Sequence, residues 1–95
     1  LAEALAAFRD GLAIARRLAA ADPGNAGWQR DLSQSHAWLA FAFRKAGDVE
    51  QAGKHLGAGR AIIAPLVEAH PDWTEWREDL AWFDAQLAEL GAKTP

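Results

Sequence analysis

The chain has 95 residues, about half of them apolar, a net charge of −3 and no cysteine. That length holds one domain with a modest core, and the missing cysteines exclude a disulfide framework and any thiolate metal site. No apolar run approaches the roughly 20 residues of a membrane span, and an N-terminal stretch carrying Glu3, Arg9, Asp10, Arg16 and Arg17 is no signal peptide.

The first helix is expected over about 1–21, because Leu1, Leu5, Phe8, Leu12, Ala15 and Leu18-Ala19 recur at helical spacing. Asp22-Pro23-Gly24-Asn25 ends it, since the residue before a proline is pushed out of helical geometry. A second helix over about 26–46 follows, with Asn25 as N-cap and Gly47 as left-handed stop. Its core stripe reads Trp28, Leu32, Ser35/His36, Leu39, Phe43 and Ala46. Asp48 and Gln51 resemble a capping box for a third helix over about 49–69. Pro65 lies inside that helix and predicts a kink, because it has no N–H to donate to Ala61. His70-Pro71-Asp72 closes it, and Asp72 with Glu75 suggests another capping box. A fourth helix over about 73–90 carries Trp73, Trp76, Leu80, Phe83, Leu87 and Leu90 on one face. Gly91 is expected to stop it, leaving 92–95 as a frayed tail.

The second half restates the first at an offset of 48. Trp28, Asp31-Leu32 and Leu39-Ala40 return as Trp76, Asp79-Leu80 and Leu87-Ala88. Ala4, Gly11, Ala13-Ile14, Leu18, Ala21 and Pro23 return as Ala52, Gly59, Ala61-Ile62, Leu66, Ala69 and Pro71. A fixed period of this size marks stacked supersecondary units.

The segment Ala37–Pro71 resembles a tetratricopeptide repeat. Leu39-Ala40 stand at that family's leucine and small-residue positions, Phe43 at its aromatic position and Gly47 at its turn. Ala52, Leu56 and Gly59 fill its alanine, large apolar and small positions, and Pro71 closes the unit. Ala4, Phe8, Gly11 and Pro23 repeat the second half of the pattern, and Leu87-Ala88 the first, so nearly the whole chain is covered. Two features depart from the family. The period is 48 rather than about 34, and His36 stands where tryptophan is common, with Trp38 two places on. Long repeats of this kind are similar to those in large bacterial signalling proteins, beside nucleotide-binding switch or caspase-like domains.

The resemblance implies an all-α fold of antiparallel helical hairpins, stacked as a short solenoid in a single domain of four helices. It also implies a groove lined by the second and fourth helices. Carried over by position, that groove presents Gln34, Phe41 and Lys45, then Trp82 and Glu89, with Trp38 beside them. Independently of the resemblance, Arg30, Gln34, Trp38, Phe41 and Lys45 form a second stripe away from the core stripe. Large aromatics on a second face mark contacts. Either they anchor a partner peptide, or they pack on the fourth helix or on a neighbouring repeat.

The expected function is therefore a protein–protein interaction scaffold or sensor segment of a larger protein. The chain has no Met even at position 1 and reads as cut from something longer or processed. The alternative is a structural repeat or homo-oligomerisation module without a peptide ligand. Residues 1–47 hold six Lys/Arg against four Asp/Glu, and residues 48–95 hold four against nine, so the halves stand at +2 and −5. Such polarity suits end-to-end association better than nucleic-acid binding, although solvated faces alone also account for it. A helical-bundle enzyme or ligand carrier is the weaker alternative.

No catalytic residue, cofactor or metal site is expected. His36, His55 and His70 form no His-x-x-x-His or Glu-x-x-His pair on one helix. His70 suits a weak helix C-terminal cap, and Asp31 and Asp79 suit the positive ends of their helices rather than acid–base work. No phosphate-cradling glycine loop occurs, and basic residues are too scattered for nucleic acid. A cytoplasmic location is the default expectation.

Overall fold

The computed structural model describes residues 1–93 as four helices: α1 (Ala2–Ala21), α2 (Ala26–Ala46), α3 (Val49–Ala69) and α4 (Thr74–Lys93). Among the described residues there is no strand, and no helix is long and apolar enough to cross a membrane. Each helix packs on the next in sequence.

Local chemistry sets the boundaries. The Asn25 side chain accepts the Trp28 N–H at 3.1 Å, and the Asp48 side chain accepts the Gln51 N–H at 3.1 Å. Each bond satisfies one of the orphan donors of a helix start and contributes about 1 kcal/mol. Gly47 ends α2 in the left-handed region at φ 82°. Its N–H donates to the Arg44 carbonyl, and that of Asp48 to the Phe43 carbonyl, the paired bonds of a Schellman turn.

The 48-residue repeat is present in the backbone. Asp22 N–H donates to Leu18 O, Asn25 N–H to Asp22 O and Gln29 N–H to Asn25 O. His70 to Leu66, Trp73 to His70 and Arg77 to Trp73 are the same three bonds, 48 residues on. Asp22 has φ −142° and ψ 78°, and His70 has φ −132° and ψ 69°. Trp28 and Trp76 each occupy the third position of the helix that follows. The turns recur even though only the proline is shared between Asp22-Pro23-Gly24-Asn25 and His70-Pro71-Asp72-Trp73.

One core joins all four helices. Leu12 comes from α1, Leu39, Ala40 and Phe43 from α2, Ala52, Leu56 and Ile63 from α3, and Phe83 and Leu90 from α4. Leu39, Leu56 and Ile63 are wholly removed from water, each contributing roughly 1.5–3 kcal/mol of burial. Gly59 allows α2 and α4 to approach α3 together. A Cβ there would collide with the Phe83 ring and come within 3.2 Å of the Ser33 carbonyl.

Several expectations need correction. α4 runs through Gly91 to Lys93 instead of stopping at Gly91. Leu90 is buried, and its burial outweighs the ~1 kcal/mol that a helical glycine costs. The rest of the expected tail, 94–95, lies outside the described residues. Asp72 is not the α4 cap: the helix begins at Thr74, and its first i to i+4 bond is accepted by the Trp73 carbonyl, one place later. Asp31 and Asp79 each sit sixth in their helices, past the first turn. Within the expected core stripes, Leu1, Leu18 and Ala46 are exposed, and Ser33 rather than Ser35 is buried. The α3 bounds are as expected, and the helix continues through Pro65, whose ring lies on the exposed side.

Candidate functional site

The six residues singled out for the groove all border one trough between α2 and α4. Gln34, Trp38, Phe41 and Trp82 line a depression of about 400 Å³, floored by Ala37 and Phe83 and edged by Asp79. Phe41, Lys45, Trp82 and Glu89 line a second of about 540 Å³, together with Arg44 and Gln86. Phe41 and Trp82 border both, so the two depressions adjoin along these side chains. Gln34, Trp38, Phe41 and Lys45 share one stripe of α2 because their spacings are four, three and four, which returns to one side of a helix.

Three large aromatics on this trough meet water. Trp38 is 58% exposed, Phe41 50% and Trp82 40%. Each is braced rather than free. Trp38 stacks on Phe8 of α1 with ring centroids 5.8 Å apart. Trp82 meets Phe83 edge-on at 5.1 Å. The Lys45 ammonium stands 5.2 Å from the Phe41 ring centre, a cation–π contact. Trp38 therefore packs in part on the first helix and leaves more than half of its surface open.

Ionic clamps fix the two walls of the trough. Near one end, Arg30 Nε donates to Asp79 at 2.7 Å and Arg30 Nη1 donates to Glu75 at 3.1 Å. Its guanidinium also lies 4.8 Å over the Trp76 ring. The Asp79 hydrogen bond holds the Arg30 guanidinium above its ordinary pKa, against a smaller loss from burial. Towards the other end, Arg44 donates to Gln86 and, at 3.0 Å, to Glu89. The repeated aspartates therefore differ in role. Asp79 holds α2 to α4, whereas Asp31 is exposed.

A second polar cluster lies on the opposite side of α2. His36 Nδ1 and His55 Nδ1 are 2.9 Å apart across the α2–α3 interface, so one ring donates a proton and the other accepts it. The Phe43 ring stacks on His55 at 5.6 Å. Burial, then His55, then Arg16 push the His36 pKa down to about 4. Burial, then Arg16 and Arg9, lower that of His55. Comparing histidines only within a helix misses this pair. The signal was His36 falling on the core stripe, which required a partner for its ring nitrogen. Among the described residues no group of three or more His, Cys, Asp or Glu could hold a metal ion. His70 stacks on Trp73 at 3.7 Å, and it is its backbone N–H that caps Leu66.

The trough gathers apolar rings in contact with neighbouring side chains, the Lys45 ammonium over the Phe41 ring, and carboxylates paired to guanidinium groups. No family model, no curated protein and no solved structure matches the chain.

Proposed function

We propose that this chain is a tetratricopeptide-like interaction module, two long helical hairpins stacked as a short solenoid, whose trough between α2 and α4 takes a segment of a partner protein. The observation that carries the reading is the convergence of three half-exposed aromatic side chains, Trp38, Phe41 and Trp82, on one trough. Exposed apolar surface gathered in this way marks an interaction site, and aromatic anchors supply most of the energy of such contacts. The turns repeated at an offset of 48 support the stacked-hairpin part of the reading. Ion pairs at the two ends, Arg30 with Glu75 and Asp79 and Arg44 with Glu89, together with Lys45, favour a partner with apolar anchors and mixed charge.

The test is selection of binders from a displayed peptide library on the folded chain, with Trp38→Ala and Trp82→Ala as counter-targets. The reading expects enriched peptides with paired apolar residues, each losing at least tenfold in affinity on either variant while circular dichroism stays unchanged. Peptides indifferent to both substitutions would remove the trough as the site. Unfolding of both variants would assign the rings to the core.

A further inference from the structure

The α2–α3 interface has two sides, and the 48-residue repeat places a copy of each side on the outside of the molecule. On α3, His55 meets His36 and the Gly59 carbonyl accepts a hydrogen bond from Ser33 Oγ at 3.1 Å. The stripe continues along α3 through Ile62 and Leu66, both partly buried. Forty-eight residues earlier, the same stripe of α1 is Ala7, Gly11, Ile14 and Leu18, and all four are exposed, Ile14 by 51% and Leu18 by 41%. On α2 the matching side is Ser33, His36, Ala40 and Phe43, all at most 6% exposed. Forty-eight residues later it is Ala81, Asp84, Ala88 and Gly91 of α4, again all exposed.

We propose that the outer face of α1, centred on Ile14 and Leu18, docks on the outer face of α4 of a second copy of this chain, repeating the α2–α3 interface between molecules. The α1 face keeps the glycine, isoleucine and leucine of the α3 side, and the α4 face keeps the alanine of the α2 side while Ala81 and Gly91 replace Ser33 and Phe43 by smaller residues, so Ile14 and Leu18 would meet a surface of small side chains. The internal register is antiparallel, with Ser33 opposite Gly59 and His36 opposite His55. Moved on by 48, it sets Ala81 opposite Gly11 and Asp84 opposite Ala7 of the second copy. Side chains this small let two helix axes approach at the near end of the usual 8–10 Å. The same register brings Arg17 level with Glu75 and Glu78, and it joins the +2 half of one molecule to the −5 half of the next. Electrostatic complementarity of this kind selects head-to-tail over head-to-head pairing. Because the two faces differ, the contact is heterologous, and further copies add end to end unless the rotation between them closes a ring. It uses none of the six residues named for the groove, so it stands or falls separately from the proposed partner binding.

Sedimentation of the 95-residue chain from micromolar to millimolar concentration tests this, with the 10.3 kDa monomer as reference. Ile14→Glu spoils the α1 face and Ala81→Arg the α4 face. The wild type is expected to gain mass with concentration beyond a dimer, and each variant alone to stay monomeric. An equimolar mixture of the two variants should form a one-to-one dimer and nothing larger, since each keeps one intact face. A wild type that stays monomeric throughout overturns the proposal. So does either variant assembling like the wild type, or a mixture that remains monomeric. If circular dichroism shows a variant unfolded, Leu18→Glu and Ala88→Arg, also at exposed positions, take their places.

Discussion

Acidification should loosen the α2–α3 interface through His36. The ring is 5% exposed and faces His55 at 2.9 Å. Its pKa falls from 6.5 to about 4 on folding, and each unit is worth 1.36 kcal/mol. The unfolded chain therefore binds a proton near pH 6.5 that the folded chain refuses until about pH 4. Since the unfolded state holds more protons in that window, stability falls as pH falls through it. The full contribution is present above pH 6.5, and about 3 kcal/mol has gone by pH 4. The lowered pKa of His55 acts in the same direction. A chain of this length has roughly 5–14 kcal/mol of stability in total, so the loss is a substantial fraction of it. Urea unfolding followed by tryptophan fluorescence, repeated between pH 7.5 and 4, measures the effect. His36→Asn keeps a hydrogen-bonding group near Nδ1 but removes the titration. It should start less stable at neutral pH and lose markedly less on acidification. Parallel losses in wild type and variant would refute the reasoning, because the acid sensitivity would then come from elsewhere.

Three further outcomes test the packing and the clamps. Gly59→Ala should destabilise the fold by about 1–3 kcal/mol, the usual result of overpacking, because the new methyl enters the Phe83 ring; an unchanged urea midpoint would show that the ring moves aside freely. Asn25→Ala and Asp48→Ala should each cost about 1 kcal/mol through loss of a cap, and the costs should add, since the two caps start different helices. Arg30 and Asp79 are both about four-fifths buried, so a double-mutant cycle should return a coupling of about 1 kcal/mol, near the upper end for ion pairs open to water; zero coupling would mean that the pair does not fasten α2 to α4.

Much of the fold was legible because the helix ends are written in local chemistry. Asn25, Gly47 and Asp48 act within a few residues of themselves, and the bounds of α2 and α3 follow from them. The end of α4 lies beyond Gly91 because a glycine stops a helix only where the chain needs a left-handed turn. Among the described glycines only Gly47 takes that conformation, and Gly91 stays helical behind the buried Leu90. Asp72 differs from expectation for a related reason: a capping sequence one residue out of place looks the same in the sequence as one in register. The trough residues were legible because helical spacing alone puts Gln34, Trp38, Phe41 and Lys45 on one side. The partners across helices were not. His36 with His55, Arg30 with Asp79 and Trp38 with Phe8 each depend on how far one helix is slid and rotated against another. Periodicity within a single helix does not determine that.

The seam between α2 and α3 is also where the molecule is hardest to divide. The 48-residue offset relates α1 to α3 and α2 to α4, yet Leu39 and Ser33 of α2 and Leu56 and Ile63 of α3 are wholly removed from water, and the shortest turn, Gly47-Asp48, joins the two central helices. A molecule cut at that turn would hold one copy of the repeated sequence in each half and lose its core. Amide exchange should accordingly be slowest in the central pair and fastest at the two outer helices, so that the molecule opens from its flanks inward.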